Sequence, residues 1–280
     1  MQTFSLSEDV EEHLQSTRKG FDGISSAYDE DFGSNEIGIW MRNIVWERLL
    51  SYFPPGSVVL DAGCGSGIDT IFLAQNGISV VAIDISTGMI EVTSKKVERF
   101  RLSNLVKTRV MKWEGINTLL YEFGEESFDG ILSNFGSLNC VKDLKPVAKC
   151  CARLLKPNGI MLANVMNRFC LWETVYYTLK GRFREALRRS RKNGLPVKLA
   201  SRDVATYYHF PAEFIGFFNK GFKVKHVLGL GIFLPPPYLK EIYNRYKAVF
   251  SWIKIAERLS EDKFPFYNMA DHVLLELERI

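Results

Sequence analysis

Val58-Val59-Leu60-Asp61-Ala62-Gly63-Cys64-Gly65-Ser66-Gly67 is the stretch that decides the fold. It opens on a short apolar run, as expected of a strand buried on both faces of a sheet. It ends in the pattern D-x-G-x-G-x-G, a turn in which glycine permits backbone that a Cβ would forbid and lets a ligand approach the main chain. Ile68 to Asn76 then reads as a helix closed by Gly77. A glycine-rich loop between a buried strand and a helix is where open parallel sheets bind ligands, at the carboxyl ends of the strands near the reversal of strand order.

Working outward, Ile37 to Phe53 carries Ile37, Trp40, Met41, Ile44, Val45, Leu49 and Leu50 at helical spacing, and Pro54-Pro55-Gly56 stops it. Downstream, Ser79 to Asp84 reads as a second buried strand and Thr87 to Phe100 as a helix. Further strands are expected over Val106 to Lys112, Phe128 to Ser133 and Ile160 to Val165, with a helix over Leu144 to Leu155. Phe222 to Leu228 and His272 to Glu278 read as two more strands, separated by one long helix from Tyr238 to Leu259. Strands alternating with helices imply parallel pairing with right-handed crossovers. The fold class is therefore α/β: a Rossmann-like, doubly wound, seven-stranded sheet, mostly parallel with the last strand antiparallel, carrying an inserted helical cap. The expected units are an N-terminal helical lid (1–50, its first 35 residues loosely organised), a ligand-binding core (51–168), a substrate cap insertion (169–220) and C-terminal strands and helix completing the sheet (221–280).

Composition narrows the function. The chain's 280 residues, 46% hydrophobic and 24% charged, suffice for one large globular domain with an added lobe. No apolar run reaches the ~18 residues of a membrane span. The start, Met1-Gln2-Thr3-Phe4-Ser5 followed by Glu8, Asp9, Glu11 and Glu12, lacks the basic and apolar regions of a secretion signal. With five cysteines (Cys64, Cys140, Cys150, Cys151, Cys170) and no CxxC or Cys/His zinc spacing, the expectation is a cytoplasmic protein with reduced thiols and no metal. The net charge of +4 is uneven: Lys180 to Lys198 holds eight basic residues and one acid, a net of +7, leaving about −3 elsewhere. That run is either a solvated face or a contact for an acidic substrate or partner. A general nucleic-acid binder would spread its charge more widely, so nucleic acid is not the expected partner.

The glycine spacing separates two ligands. A dinucleotide site reads G-x-G-x-x-G and sets a pyrophosphate on the helix N-terminus. Here the glycines are Gly63, Gly65 and Gly67, with Asp61 two residues ahead. A buried carboxylate repels a pyrophosphate but is favoured near the amino group of a methionine moiety or hydrogen-bonding through water. Asp84 ends Val80-Val81-Ala82-Ile83-Asp84, where an acid accepts the hydroxyls of a ribose, and Ser86 is placed to cap the following helix.

On these residues the chain resembles a class I S-adenosylmethionine-dependent methyltransferase of the small-molecule kind, similar to enzymes of ubiquinone and menaquinone biosynthesis. Val58 to Gly67 and Val80 to Ser86 resemble the family's first two motifs, Ser86-Thr87-Gly88-Met89-Ile90 the segment near the adenine, and Phe128 to Asn134 the fourth strand, whose end faces the methyl donor. Leu154-Leu155-Lys156-Pro157-Asn158-Gly159-Ile160 resembles the turn into the fifth strand, and Ala27-Tyr28-Asp29 a segment that closes over the cofactor. The resemblance, covering Phe21 to Val165, implies S-adenosylmethionine as cofactor, S-adenosylhomocysteine as product, and a cofactor site of Tyr28, Asp61, Gly63, Cys64, Gly65, Gly67, Asp84, Ile85, Met89, Glu114 and Asn134. Glu114 enters as a departure: the family's Gly-Asp pair is replaced by Met111-Lys112-Trp113-Glu114-Gly115, in which Glu114 or Trp113 would meet the adenine or serve as ordinary packing.

The family implies direct in-line displacement, in which proximity supplies roughly 7–11 kcal/mol at best and a base is needed only when the nucleophile's proton is not already labile. Tyr208 and His209 are the catalytic candidates, and Asn134, Phe135, Ser137 and Asn139 are expected near the reaction centre. His13 and His272 have no supporting context, and His226 reads as structural. Asn134-Phe135-Gly136-Ser137 is not the N/D-P-P-Y motif of amino-directed nucleic-acid methyltransferases, and no Pro-Cys pair is present. The leading expectation is therefore a small-molecule substrate of anionic or aromatic character. RNA or protein methylation through residues 180–198 stands second, and a non-catalytic S-adenosylmethionine-binding protein third. The glycine spacing disfavours an NAD-dependent oxidoreductase. Oligomeric state is not legible.

Overall fold

The computed structural model describes residues 8–30, 35–191 and 194–280. Residues 1–7 of the expected lid and Lys192 of the basic run lie outside the described residues. The strands are β1 (Val58–Ala62), β2 (Ser79–Asp84), β3 (Val106–Val110), β4 (Phe128–Ser133), β5 (Leu155–Met166), β6 (Leu195–Leu199), β7 (Arg202–Thr206), β8 (Phe222–Leu230) and β9 (His272–Arg279). The helices are α1 (Glu8–Ile24), α2 (Glu36–Tyr52), α3 (Ile68–Gln75), α4 (Thr87–Arg99), α5 (Thr118–Phe123), α6 (Leu144–Leu154), α7 (Leu171–Leu179), α8 (Phe183–Ala186), α9 (Pro211–Phe218), α10 (Lys240–Arg245) and α11 (Lys247–Ser260).

Seven strands form one sheet in the order β3-β2-β1-β4-β5-β9-β8. β1 to β5 pair in parallel, and β9 lies antiparallel between β5 and β8. This is the expected doubly wound sheet with its last strand antiparallel. The order reverses between β1 and β4, so the carboxyl ends of those strands open a crevice. Successive strand residues alternate between two cores, since side chains repeat every second position. Val59, Val80 and Ala82 pack beneath Met41 and Val45 of α2 and Ile71 of α3. Leu60, Val81 and Ile83 pack on the other face with Leu119 of α5, Val147 and Cys151 of α6, and Phe214 and Phe218 of α9. Apolar residues are needed on both sides, which is why these strands read as continuous runs rather than alternating ones.

Three elements differ from expectation. Within residues 8–30, read as loosely organised, Glu8–Ile24 is a helix of 17 residues. The stretch read as a helical cap contains a two-stranded antiparallel ribbon, β6–β7, besides α7 and α8. Its polar outer positions and short length hide the period-2 signal. α9, inside the same stretch, belongs to the sheet's core layer through Phe214 and Phe218. The long helix expected from Tyr238 to Leu259 is broken at Tyr246 (φ −120°, ψ 33°) into α10 and α11. Gly20 seats α1 on the ribbon: a Cβ there would meet Val204 Cγ2 at 2.9 Å. No helix among the described residues is long and apolar enough to cross a membrane.

Candidate active site

The loop after β1 is shaped by three glycines with positive φ, each in a different setting. A Cβ on Gly63 would sit 2.2 Å from Ser137 Cβ, because the chain leaving β4 crosses directly over the loop. On Gly67 it would strike Thr93 of α4. On Gly65 it would project into open space, the nearest atom being Tyr28 Cε1 at 4.0 Å. Gly65 is thus the position where the loop leaves room for a ligand, and Gly63 and Gly67 are the positions where it leaves room for protein.

That room belongs to a cavity of about 540 Å³. Asp84 forms one end of it. Its Oδ2 accepts from Gly65 N–H at 2.9 Å and its Oδ1 from Ser86 N–H at 2.8 Å. Each oxygen keeps a second lone pair, enough for two ligand hydroxyls. Burial pushes the Asp84 carboxyl up to about 6, against the opposing pull of the Ser86 and Gly65 amides. Ser86 caps α4, accepting from Met89 N–H at 3.0 Å. Ile85, Met89, Met111 and Trp113 give the cavity an apolar shelf, and Glu114 and Asn134 line it as well.

Behind the loop stand two more buried carboxylates. Asp61 accepts from the Thr70 hydroxyl at 2.5 Å and does not line the cavity. Its pKa is raised by burial and by the neighbouring Asp69. Through this bond Asp61 fastens β1 to α3. Asp69 accepts from Arg42 Nη1 (2.5 Å), Trp46 Nε1 (2.8 Å) and Asn134 Nδ2 (2.9 Å). Arg42 lies over the Phe135 ring at 4.5 Å, and together with Tyr28 and Cys64 it lines a small recess beside the loop. Three carboxylates against one arginine make the surroundings of the loop anionic, which suits a sulfonium and an α-ammonium and opposes a pyrophosphate. The donor set, the Gly65 opening and the apolar shelf fit S-adenosylmethionine.

The far end of the cavity is built by the cap and by the start of β9. Glu173 on α7 accepts from Arg188 Nε (2.6 Å), Arg189 Nη2 (2.7 Å) and the Tyr238 hydroxyl (2.9 Å). Arg189 also reaches Asp271 Oδ1 at 2.6 Å and lies over the Tyr208 ring at 5.3 Å. Burial alone would raise the Asp271 carboxyl, but Arg189 and His272 outweigh it and hold it well below the usual range. Asp271 Oδ2 is 3.1 Å from His272 Nδ1, and the His272 ring stands edge-on to Phe135, 5.7 Å between centroids. The register Met166 to His272 sets this pair beside the carboxyl ends of β4 and β5. Leu14, Phe21 and Ile24 of α1 and Val197, Leu199 and Val204 of the ribbon close the cavity with an apolar wall.

Of the residues expected in the site, Tyr28, Gly63, Gly65, Asp84, Ile85, Met89, Glu114, Asn134 and Tyr208 line this cavity and Cys64 the adjoining recess. Phe135 and Ser137 line it as well. Asp61, Gly67 and Asn139 do not; Asn139 instead ties Met166 to Tyr207 through its amide. His209 is also outside. Its ring stands edge-on to Phe217, its Nε2 is buried without a partner, and burial with the nearby Arg168 charge lowers its pKa. Arg42, Asp69, Asp271 and His272 escaped the sequence reading. Asp69 is an acid in the first turn of α3, a common place for one, and nothing local marks His272 until β9 is laid beside β5. His13, also without context in the sequence, joins α1 to the loop after β4, its Nε2 2.8 Å from the Cys140 carbonyl.

Residues 60–163 match the family model described as a methyltransferase domain. The chain is 31% identical over 150 residues to a demethylmenaquinone methyltransferase of Tropheryma whipplei, covering 52% of this chain and 57% of that one. It thus spans little more than half the length of that relative. It is 26% identical over 240 residues to an uncharacterized protein of Methanocaldococcus jannaschii, covering 82% and 85% of the two chains. The structure of a Haemonchus contortus phosphoethanolamine N-methyltransferase, in complex with phosphomonomethylethanolamine and S-adenosylhomocysteine, superposes with a TM-score of 0.60 at 20% identity, over 95% of this chain and 59% of the other; at that identity it speaks for the fold alone. Over residues 60–163 the chain is therefore similar to methyltransferase domains, on a fold shared with solved methyltransferases.

Proposed function

We propose that this protein transfers a methyl group from S-adenosylmethionine to a small organic acceptor with an apolar, ring-sized body. The observation that carries this is one continuous cavity with Asp84 and Gly65 at one end, His272 and Tyr208 at the other, and an apolar wall between. When bound, the cofactor supplies an electrophilic methyl on a sulfonium. Asp84 holds hydroxyls, Arg42 a carboxylate, and the shelf of Ile85, Met89 and Trp113 a flat ring. The α1–ribbon wall excludes water and orients the acceptor, the main contribution a protein makes to a displacement. For an acceptor whose nucleophile carries a proton, His272 Nε2 takes that proton while Asp271 holds Nδ1–H and stabilises the imidazolium. The similarity to a demethylmenaquinone methyltransferase supports a small-molecule acceptor. RNA or protein as acceptor is disfavoured because Arg188 and Arg189, the centre of the basic run, turn inward to Glu173 and Asp271.

Two measurements test the reading. Calorimetry should show binding of S-adenosylhomocysteine and not of NAD. Incubation of the protein and methyl-labelled S-adenosylmethionine with fractionated cell extract should place the label in the small-molecule fraction; label in RNA or protein overturns the acceptor class.

A further inference from the structure

The basic run does more than the cavity uses. Within 179–191, Leu179 is 83% exposed, Phe183 64% and Leu187 62%. Three large apolar side chains held so far out in one short stretch are a surface awaiting cover. Cations stand among them. Arg182 is paired with Glu185, while Arg188 and Arg189 are taken by Glu173 and Asp271. Lys180, Arg184 and Arg191 have no acidic partner among the described residues; Lys180 donates to the Tyr176 hydroxyl at 2.6 Å. Exposed leucine and phenylalanine interleaved with uncompensated lysine and arginine match an apolar layer beneath anionic headgroups. A polyanion such as RNA would use the cations and leave the leucines wet.

We propose that the stretch 179–191 of the cap docks on the surface of an anionic lipid bilayer. α11 also shows an outward apolar face, at Val249, Trp252, Ile255 and Leu259. Its Lys247 and Arg258, however, are bound to Glu36 and Glu47, and its Lys254 lies over the Trp40 and Tyr243 rings, so that face offers fewer free cations than the cap. The docked stretch backs onto the cavity: its Arg188 lines it, and its Arg182 lies over the ring of Tyr177, a cavity residue just ahead of the stretch, at 5.0 Å. Docking therefore sets one cavity wall against lipid, a source of apolar acceptors. This access role rests on the small-molecule reading, whereas the docking does not.

The test is flotation of the full chain with vesicles of phosphatidylcholine plus phosphatidylglycerol, compared with phosphatidylcholine alone. The wild type floats with the mixed vesicles only, and less as salt rises. Neutralising Lys180→Gln, Arg184→Gln and Arg191→Gln together lowers partitioning about 100-fold at low salt. Leu179→Ser, Phe183→Ser and Leu187→Ser together lower it about tenfold or more. Calorimetry with S-adenosylhomocysteine on the same samples reports unchanged affinity, which shows that the variants are folded. Absence of wild-type flotation, equal flotation in both triple variants, or loss only in Val249→Ser/Trp252→Ser overturns the proposal. So does retention on polyuridylate without flotation, which assigns the cations to RNA. Flotation without S-adenosylhomocysteine binding would instead overturn the functional reading and leave the docking surface standing.

Discussion

Single residues carry the cofactor end. Asp84 serves two loops through its amide contacts and faces the cavity with what remains of its lone pairs. Asp84→Ala should weaken S-adenosylhomocysteine binding by about 1–3 kcal/mol, the range for hydrogen-bonding groups left unsatisfied. Calorimetry reads it. Gly65→Val should abolish binding, since its Cβ branches into the opening and φ of +53° penalises a β-branched residue. The circular dichroism spectrum should be retained. The Asp84 carboxyl, pushed up to about 6, also gives a pH signature. The ionised form accepts ligand hydroxyls, so binding favours the deprotonated state. Affinity should be flat above pH 7 and fall by up to about tenfold per unit as pH drops below 6. Flat affinity down to pH 5 would show that Asp84 does not hold the ligand. His272→Gln should slow turnover of a hydroxyl acceptor roughly 10²–10⁴-fold with S-adenosylhomocysteine affinity unchanged, while His209→Ala should leave turnover near wild type.

At the scale of elements, α1 and the β6–β7 ribbon pack together and wall one side of the cavity. α1 contributes Leu14, Phe21 and Ile24 to the wall, and Gly20 lets it lie against Val204. Gly20→Leu should pry the helix from the ribbon. The expected result is faster amide exchange in residues 14–24 and a raised KM for the acceptor, with the sheet's exchange unchanged. Mass-spectrometric hydrogen exchange with and without S-adenosylhomocysteine measures it, and uniform exchange in the variant and wild type would remove α1 from the gate. The sequence showed α2 to α4 because their apolar faces repeat at helical spacing against a buried sheet. It did not show the ribbon, whose sides meet a cavity and solvent rather than a core.

Across the whole molecule, the cap is fastened to the sheet by one buried charge network. Arg189 bridges Glu173 of α7 and Asp271 ahead of β9. Arg189→Met would leave buried Asp271 with only His272 beside it and Glu173 with only Arg188, at a cost of about 3–5 kcal/mol. Thermal unfolding should detect it at neutral pH, with partial recovery on acidification as the carboxylates become protonated. The sequence by itself determined the sheet, its switch point and the cofactor loop, because those depend on local periodicity and on glycine geometry within one β-α-β unit. Tertiary structure alone decided which charges serve the site. Asp69 meets Arg42 and Asn134, Arg189 meets Asp271, and His272 meets Phe135 across tens of residues of chain. Such pairings are set by strand order and register rather than by spacing. A basic run therefore read as one surface, although its centre is buried ion pairing and only its edges face outward.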